Sequence, residues 1–68
     1  IVIALIINGA PRRFDDHLTV AELLERLELQ GKRIAVERNG EIVPRSLYAA
    51  TAVAAGDRLE VVAAVGGG

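Results

Sequence analysis

The sequence predicts an α+β chain, a mixed sheet of about four or five strands packed on one main helix, and three observations carry that prediction. Two Asn-Gly dipeptides, Asn8-Gly9 and Asn39-Gly40, sit between stretches of strand character and mark hairpins. One capped amphipathic helix is written as TVAELLERL, residues 19–27, and an alternating segment follows at residues 58–64. All of this is contained in 68 residues without a cysteine. A core that small, with no disulfide behind it, has to be dense and regular. The 51% apolar content, nearly all Val, Ile, Leu and Ala, supplies such a core and excludes a disordered chain.

The elements follow in order. Residues 1–7, IVIALII, form a continuous Ile/Val-rich run ended by a turn, the pattern of a central strand buried from both sides. Asn-Gly takes positive φ at both centres of a type I′ turn, so residues 10–14 return as the partner strand. Pro11 has no N–H to give a ladder, which assigns that partner to an edge. Thr19-Val20-Ala21-Glu22 is a capping box and starts the helix. Val20, Leu23, Leu24 and Leu27 recur on one helical face, with Glu22 and Arg26 as an i,i+4 pair on the other. Gly31 is placed as the residue that ends the helix in a left-handed conformation.

Residues 34–37 and 41–43 flank the second Asn-Gly turn as a short hairpin that Pro44 terminates. Ser46 is expected to cap a turn of helix through Tyr48 and Ala50, and the stretch YAATAVAAG, residues 48–56, carries the weakest pattern of the chain. Gly56-Asp57 is a turn. Residues 58–64 form the last strand, with Leu59, Val61 and Ala63 on one side and Arg58, Glu60 and Val62 on the other. Setting the last strand beside the first puts both apolar runs mid-sheet under the helix, a β-grasp arrangement. A plain α+β meander with the same two layers fits the pattern as well. The sheet face away from the helix is expected to expose an apolar patch at Val43, Val62 and Ala64, read as a partner-docking face.

Charge excludes several functions. Eight basic and nine acidic residues give a formal net charge of −1, without a basic cluster, so neither nucleic acid nor an acidic membrane is expected as a partner. The apolar run at residues 1–7 is far below the about 20 residues of a membrane span and follows no basic segment, so it is not read as a signal peptide. With no cysteine, thiolate chemistry is absent, and the expected location is cytoplasmic. His17 has neither a triad pattern nor a second metal ligand at standard spacing and reads as a solvated loop residue. Asp15-Asp16 before the helix, and Lys32 and Arg33 after it, suit the helix dipole. Arg12, Arg13, Arg38 and Arg45 read as surface. No catalytic residue and no bound cofactor or metal is expected, since neither GxxxxGK[ST] nor GxGxxG occurs.

The closing VVAAVGGG divides the chain into a domain over residues 1–65 and a flexible glycine tail over residues 66–68. Glycines there cannot pack, and nothing follows them to be turned. Residues 65–68 extended span about 13 to 14 Å, enough for a carboxylate to reach the floor of an enzyme pocket while the domain stays outside. Lacking Cβ, Gly66 and Gly67 can thread a narrow channel, and the Gly68 carboxylate is the candidate reactive group. A carboxylate is a poor electrophile, so a separate ATP-using enzyme has to activate it. A frayed terminus with no role is the plain alternative.

INGAPRRF, TVAELLERL and above all IAVERNGEIVPRS with GDRLEVVAAVGGG resemble the ThiS family, the bacterial sulfur carriers of thiamine biosynthesis. The resemblance covers essentially the whole chain, and the pairing of NGEIVPRS with a terminal VGGG is its specific part. It implies a ubiquitin-like β-grasp fold and a non-enzymatic carrier. It also implies that Gly68 is adenylated by the E1-like adenylyltransferase ThiF, converted to a thiocarboxylate, and passes its sulfur to the thiazole synthase ThiG. Arg38 stands where the family pattern has an apolar strand residue, which counts against an apolar docking role for that edge. A molybdopterin-type carrier and a ubiquitin-like modifier joined to lysines through Gly68 are the rival readings.

Overall fold

The first Asn-Gly turn sets the frame. In the computed structural model, which describes residues 1–29, 31 and 33–63, Asn8 and Gly9 have φ of 52° and 81° and join β1 (Ile3–Ile7) to antiparallel β2 (Ala10–Phe14). Asn39 and Gly40, with φ of 52° and 87°, do the same for β3 (Ile34–Arg38) and β4 (Glu41–Val43). The last strand, β5 (Arg58–Ala63), lies between the hairpins, parallel to β1 and antiparallel to β3. The sheet order β2-β1-β5-β3-β4 is the β-grasp arrangement, with Pro11 on an edge strand as expected.

The helix α1 (Val20–Arg26) lies over one face, where Val20, Leu23 and Leu24 join Ile3, Leu5, Ile7, Val36, Leu59 and Val61 in one buried cluster. The run at residues 1–7 is therefore buried from one side only. Ala4 is exposed and Ile6 half-buried, while Ile1 and Val2 precede the strand and are exposed. One helix covers one sheet face, so the outward residues of even a central strand meet water.

The helix start is satisfied in full. Thr19 Oγ1 accepts from Glu22 N–H while Glu22 Oε1 accepts from Thr19 N–H, the anticipated capping box. The weakly patterned segment after β4 completes the job, since Val20 N–H donates to the Thr51 carbonyl and Ala21 N–H to that of Tyr48. With its carboxylate used in the cap, Glu22 does not pair with Arg26, which instead reaches Asp16 at 3.6 Å. Gly31 does not end the helix. Glu28 does, at φ 60°, with Leu29 N–H donating to Leu24 O and Glu28 N–H to Glu25 O in a Schellman closure. Ser46 caps nothing, because it lies inside a 3₁₀ turn at Arg45–Leu47 whose N-cap is Pro44.

Candidate functional site

The strand that leads toward the glycines is held from both sides at its start. Ile6 N–H donates to the Asp57 carbonyl and Asn8 N–H to that of Leu59, and from the other side Asn39 N–H donates to the Arg58 carbonyl. β1 ends at Ile7. Beyond it the Asn8 side chain takes over the ladder, its Nδ2 donating to Val61 O at 3.0 Å and its Oδ1 accepting from Val61 N–H at 2.7 Å. A side-chain amide carries the same donor and acceptor as a peptide unit, so Asn8 extends the β1 side of the sheet by one pairing. The final pairing of β5 is Ala63 with Ile34. Gly66, Gly67 and Gly68, with Ala64 of the expected docking face and Lys32, lie outside the described residues.

The hub at the foot of this strand joins residues that no local pattern connects. Asp57 is 6% exposed, and its carboxylate accepts from Arg38 Nε at 2.7 Å, Asn39 Nδ2 at 3.0 Å and Ala54 N–H at 2.8 Å. Burial pushes the Asp57 carboxyl upward, but the bonds from Arg38, Asn39 and Ala54 and the Arg38 charge outweigh it, and the group lies below its ordinary value of 3.8. Arg38 thus ties β3 to the turn that launches β5. It is not a charge intruding on the open sheet face, because it shares the side of β3 that Val36 presents to α1.

That open face differs from expectation at one position. Val62 is exposed, but Val43 is buried and turns toward α1, while Ile42 faces water at 66% exposure. The register decides it. A two-residue turn at Asn39-Gly40 pairs Arg38 with Glu41, Glu37 with Ile42 and Val36 with Val43, so Val43 takes the inward side of Val36. That count was available from the turn; a three-residue strand read alone has no visible phase.

Where β4 stops, a groove begins. β4 pairs only with Val36, Glu37 and Arg38, so among the described residues the outer edge of Ile34 and Ala35 has no strand beside it. The Ile34 carbonyl there accepts from the Tyr48 hydroxyl at 3.0 Å. Two adjoining depressions, ≈ 430 and ≈ 350 Å³, share Arg33, Ile34 and Arg45. The remaining polar candidates gather nowhere. His17, Asp15 and Asp16 are exposed, and no group of His, Asp and Glu able to hold a metal occurs among the described residues. Arg12 lies over the Phe14 ring at 5.9 Å and Arg13 is exposed. No helix among the described residues is long and apolar enough to cross a membrane.

Comparison with known proteins places this geometry. A family model described as the ThiS family matches residues 5–68. A thiazole synthase of Paramagnetospirillum magneticum is 53% identical over 64 residues, covering 94% of this chain but only 20% of that protein's length. The protein ycf40 of Porphyra purpurea is 35% identical over 66 residues, 97% of this chain and 93% of its own. The crystal structure of a thiamine biosynthesis protein (ThiS) from Geobacter metallireducens superposes with a TM-score of 0.82 at 39% identity, covering 97% of this chain and 100% of that one.

Proposed function

The chain belongs to the ThiS family, and from that premise we propose that it is the sulfur carrier of thiazole formation in thiamine biosynthesis, with Gly68 as the residue that bears the sulfur. The observation that carries this reading is the family match running unbroken through the glycines to residue 68, on a β-grasp domain whose last strand leads toward them. An E1-like adenylyltransferase joins a Gly68 carboxylate oxygen to the α-phosphorus of ATP and releases pyrophosphate. Sulfide from the donor then attacks the acyl carbon, AMP leaves with that oxygen, the sulfur's proton goes to solvent, and a thiocarboxylate remains. ATP is used by the partner enzyme, and catalysis belongs to it as well.

Gly66 and Gly67 thread the partner's active site, where a Cβ would obstruct, while the domain stays outside. Two relatives are named thiazole synthases, and this chain matches 20% and 19% of their lengths. A carrier-like stretch within such proteins supports a thiazole synthase as the recipient of the sulfur. Val62 on the open sheet face is a candidate contact for these partners.

Intact-mass analysis after incubation with a ThiF-type enzyme, ATP and a sulfur donor tests the reading. The expected result is a gain equal to one oxygen exchanged for sulfur, mapped to Gly68. A native chain that continues past Gly68 without being trimmed there, or a ladder of lysine adducts in place of the thiocarboxylate, overturns it.

A further inference from the structure

We propose that the groove beside the start of β3 is a docking site for an acidic segment, with an adjacent apolar residue, on the enzyme that activates the tail; the proposal rests on the carrier reading above. The groove is a product of where three elements stop. Pro44 ends β4 early and sends the chain into the 3₁₀ turn, which sets Arg45 on the rim. The Schellman closure at Glu28 ends α1 and folds Leu29 back toward Leu24. The Tyr48 hydroxyl holds the Ile34 carbonyl and fixes its ring as a wall. The result is an apolar floor of Leu24, Leu29, Ile34 and Tyr48, open to solvent along the sheet edge.

Charge selects the occupant. Arg33 and Arg45 line both depressions and are exposed, and neither is ion-paired among the described residues, where the two salt bridges are Arg26–Asp16 and Arg38–Asp57. The acidic residue lining the groove is Glu25, so the surface is net positive on a chain whose formal charge is −1. Two arginines lining one groove over an apolar floor match a carboxylate next to an apolar side chain. An open groove suits a polypeptide better than a small ligand, which needs enclosure on most sides. Position adds to this. Val62 of β5 lines the second depression, so a segment seated there touches the strand that leads to the glycines.

The test uses the full chain and the purified ThiF-type adenylyltransferase of the same organism. Arg33→Glu with Arg45→Glu is expected to weaken equilibrium binding by on the order of tenfold or more and to flatten its salt dependence. Thermal stability should stay unchanged, both residues being exposed, and Arg33→Lys with Arg45→Lys should keep most of the affinity. Titration of the ¹⁵N-labelled wild type, which needs no variant to fold, should shift the amides of Gly31, Ile34 and Tyr48. Wild-type affinity and salt dependence in the charge-reversed protein, or shifts confined to open-face residues away from the groove such as Ala4 and Ile6, overturn the proposal.

The carrier reading fails separately. If salt-dependent binding is lost in the variant but no thiocarboxylate forms on the wild type, the groove stands and the carrier reading falls. If both proteins are modified at Gly68 with the same KM, the groove falls and the carrier reading stands. A wild type that does not bind the enzyme at all overturns both.

Discussion

The two Asn-Gly turns are the same dipeptide in the same backbone conformation, with φ of 52° at both asparagines, yet their side chains do different work on the same strand. Asn8 grips β5 through its peptide groups, bonding both N–H and O of Val61. Asn39 grips its foot through a charge, donating to the Asp57 carboxylate while its Oδ1 accepts from Arg58 N–H at 2.9 Å. Positive φ alone asks only for Asn or Gly. The amides explain why asparagine serves at both turns: each bends one hairpin and fastens it to the strand that runs to the glycines.

The charged side is the place to break this comparison with the largest effect. Asp57→Asn removes the ion pair and puts an NH2 donor in place of one of the two acceptor oxygens, so either the Arg38 and Ala54 side or the Asn39 side of the hub faces a donor. Because the Arg38 side chain is 32% exposed, water screens part of the loss. The expected cost is about 2 to 3 kcal/mol in denaturant or thermal unfolding, and a loss within error of zero would deny Asp57 its role as hub.

Acid addresses the same group. The folded pKa of Asp57 is depressed, so its stabilisation is fully present above the unfolded value near 3.8 and is lost as pH falls through the lower folded value. Unfolding midpoints measured as pH is lowered through that window should fall for the wild type. Asp57→Asn should lack that component of the slope, and Asn8→Gly should retain it.

Glycine at each turn keeps the backbone conformation and deletes only the grip. Asn39→Gly is expected to cost about 2 kcal/mol, since its bonds include one to a charged group, and Asn8→Gly about 1 kcal/mol. Chemical denaturation of the pair orders them, and the reverse order would mean that the uncharged grip is the stronger. Glu28 supplies the smallest and opposite effect. It shares the left-handed backbone, at φ 60°, but is exposed and its side chain makes no hydrogen bond among the described residues. Glu28→Gly should therefore stabilise the domain by about 0.5 kcal/mol, the relief of the left-handed backbone less the entropy a glycine adds to the unfolded chain, read as a raised Tm.

Much of the fold was legible because much of it is local. A capping box is complete within four residues, a type I′ turn within two, and strand alternation is visible in RLEVVA as written. The readings that failed depended on something distant or on competition for one group. Glu22 looked available to Arg26 until the cap claimed its carboxylate. Gly31 looked like the helix end because glycine is the usual residue there, but the closure came where Leu29 could return to Leu24, and Glu28 accepted the strained position. The segment at residues 48–53 has no periodicity because it answers to the helix N-terminus and not to its own neighbours.

From the sequence alone came the order of the elements, both hairpin turns, the helix start and the glycines that direct attention to Gly68. Each is set by hydrogen bonds and periodicities a few residues long. Only the tertiary structure decided that β5 lies between β1 and β3, that Arg38 serves a buried Asp57, that Asn8 pairs with a residue 53 positions away, and that a groove with two arginines opens where β4 stops. Those facts depend on which side chains become neighbours once the sheet has closed over the helix, and no local pattern encodes a neighbour that distant.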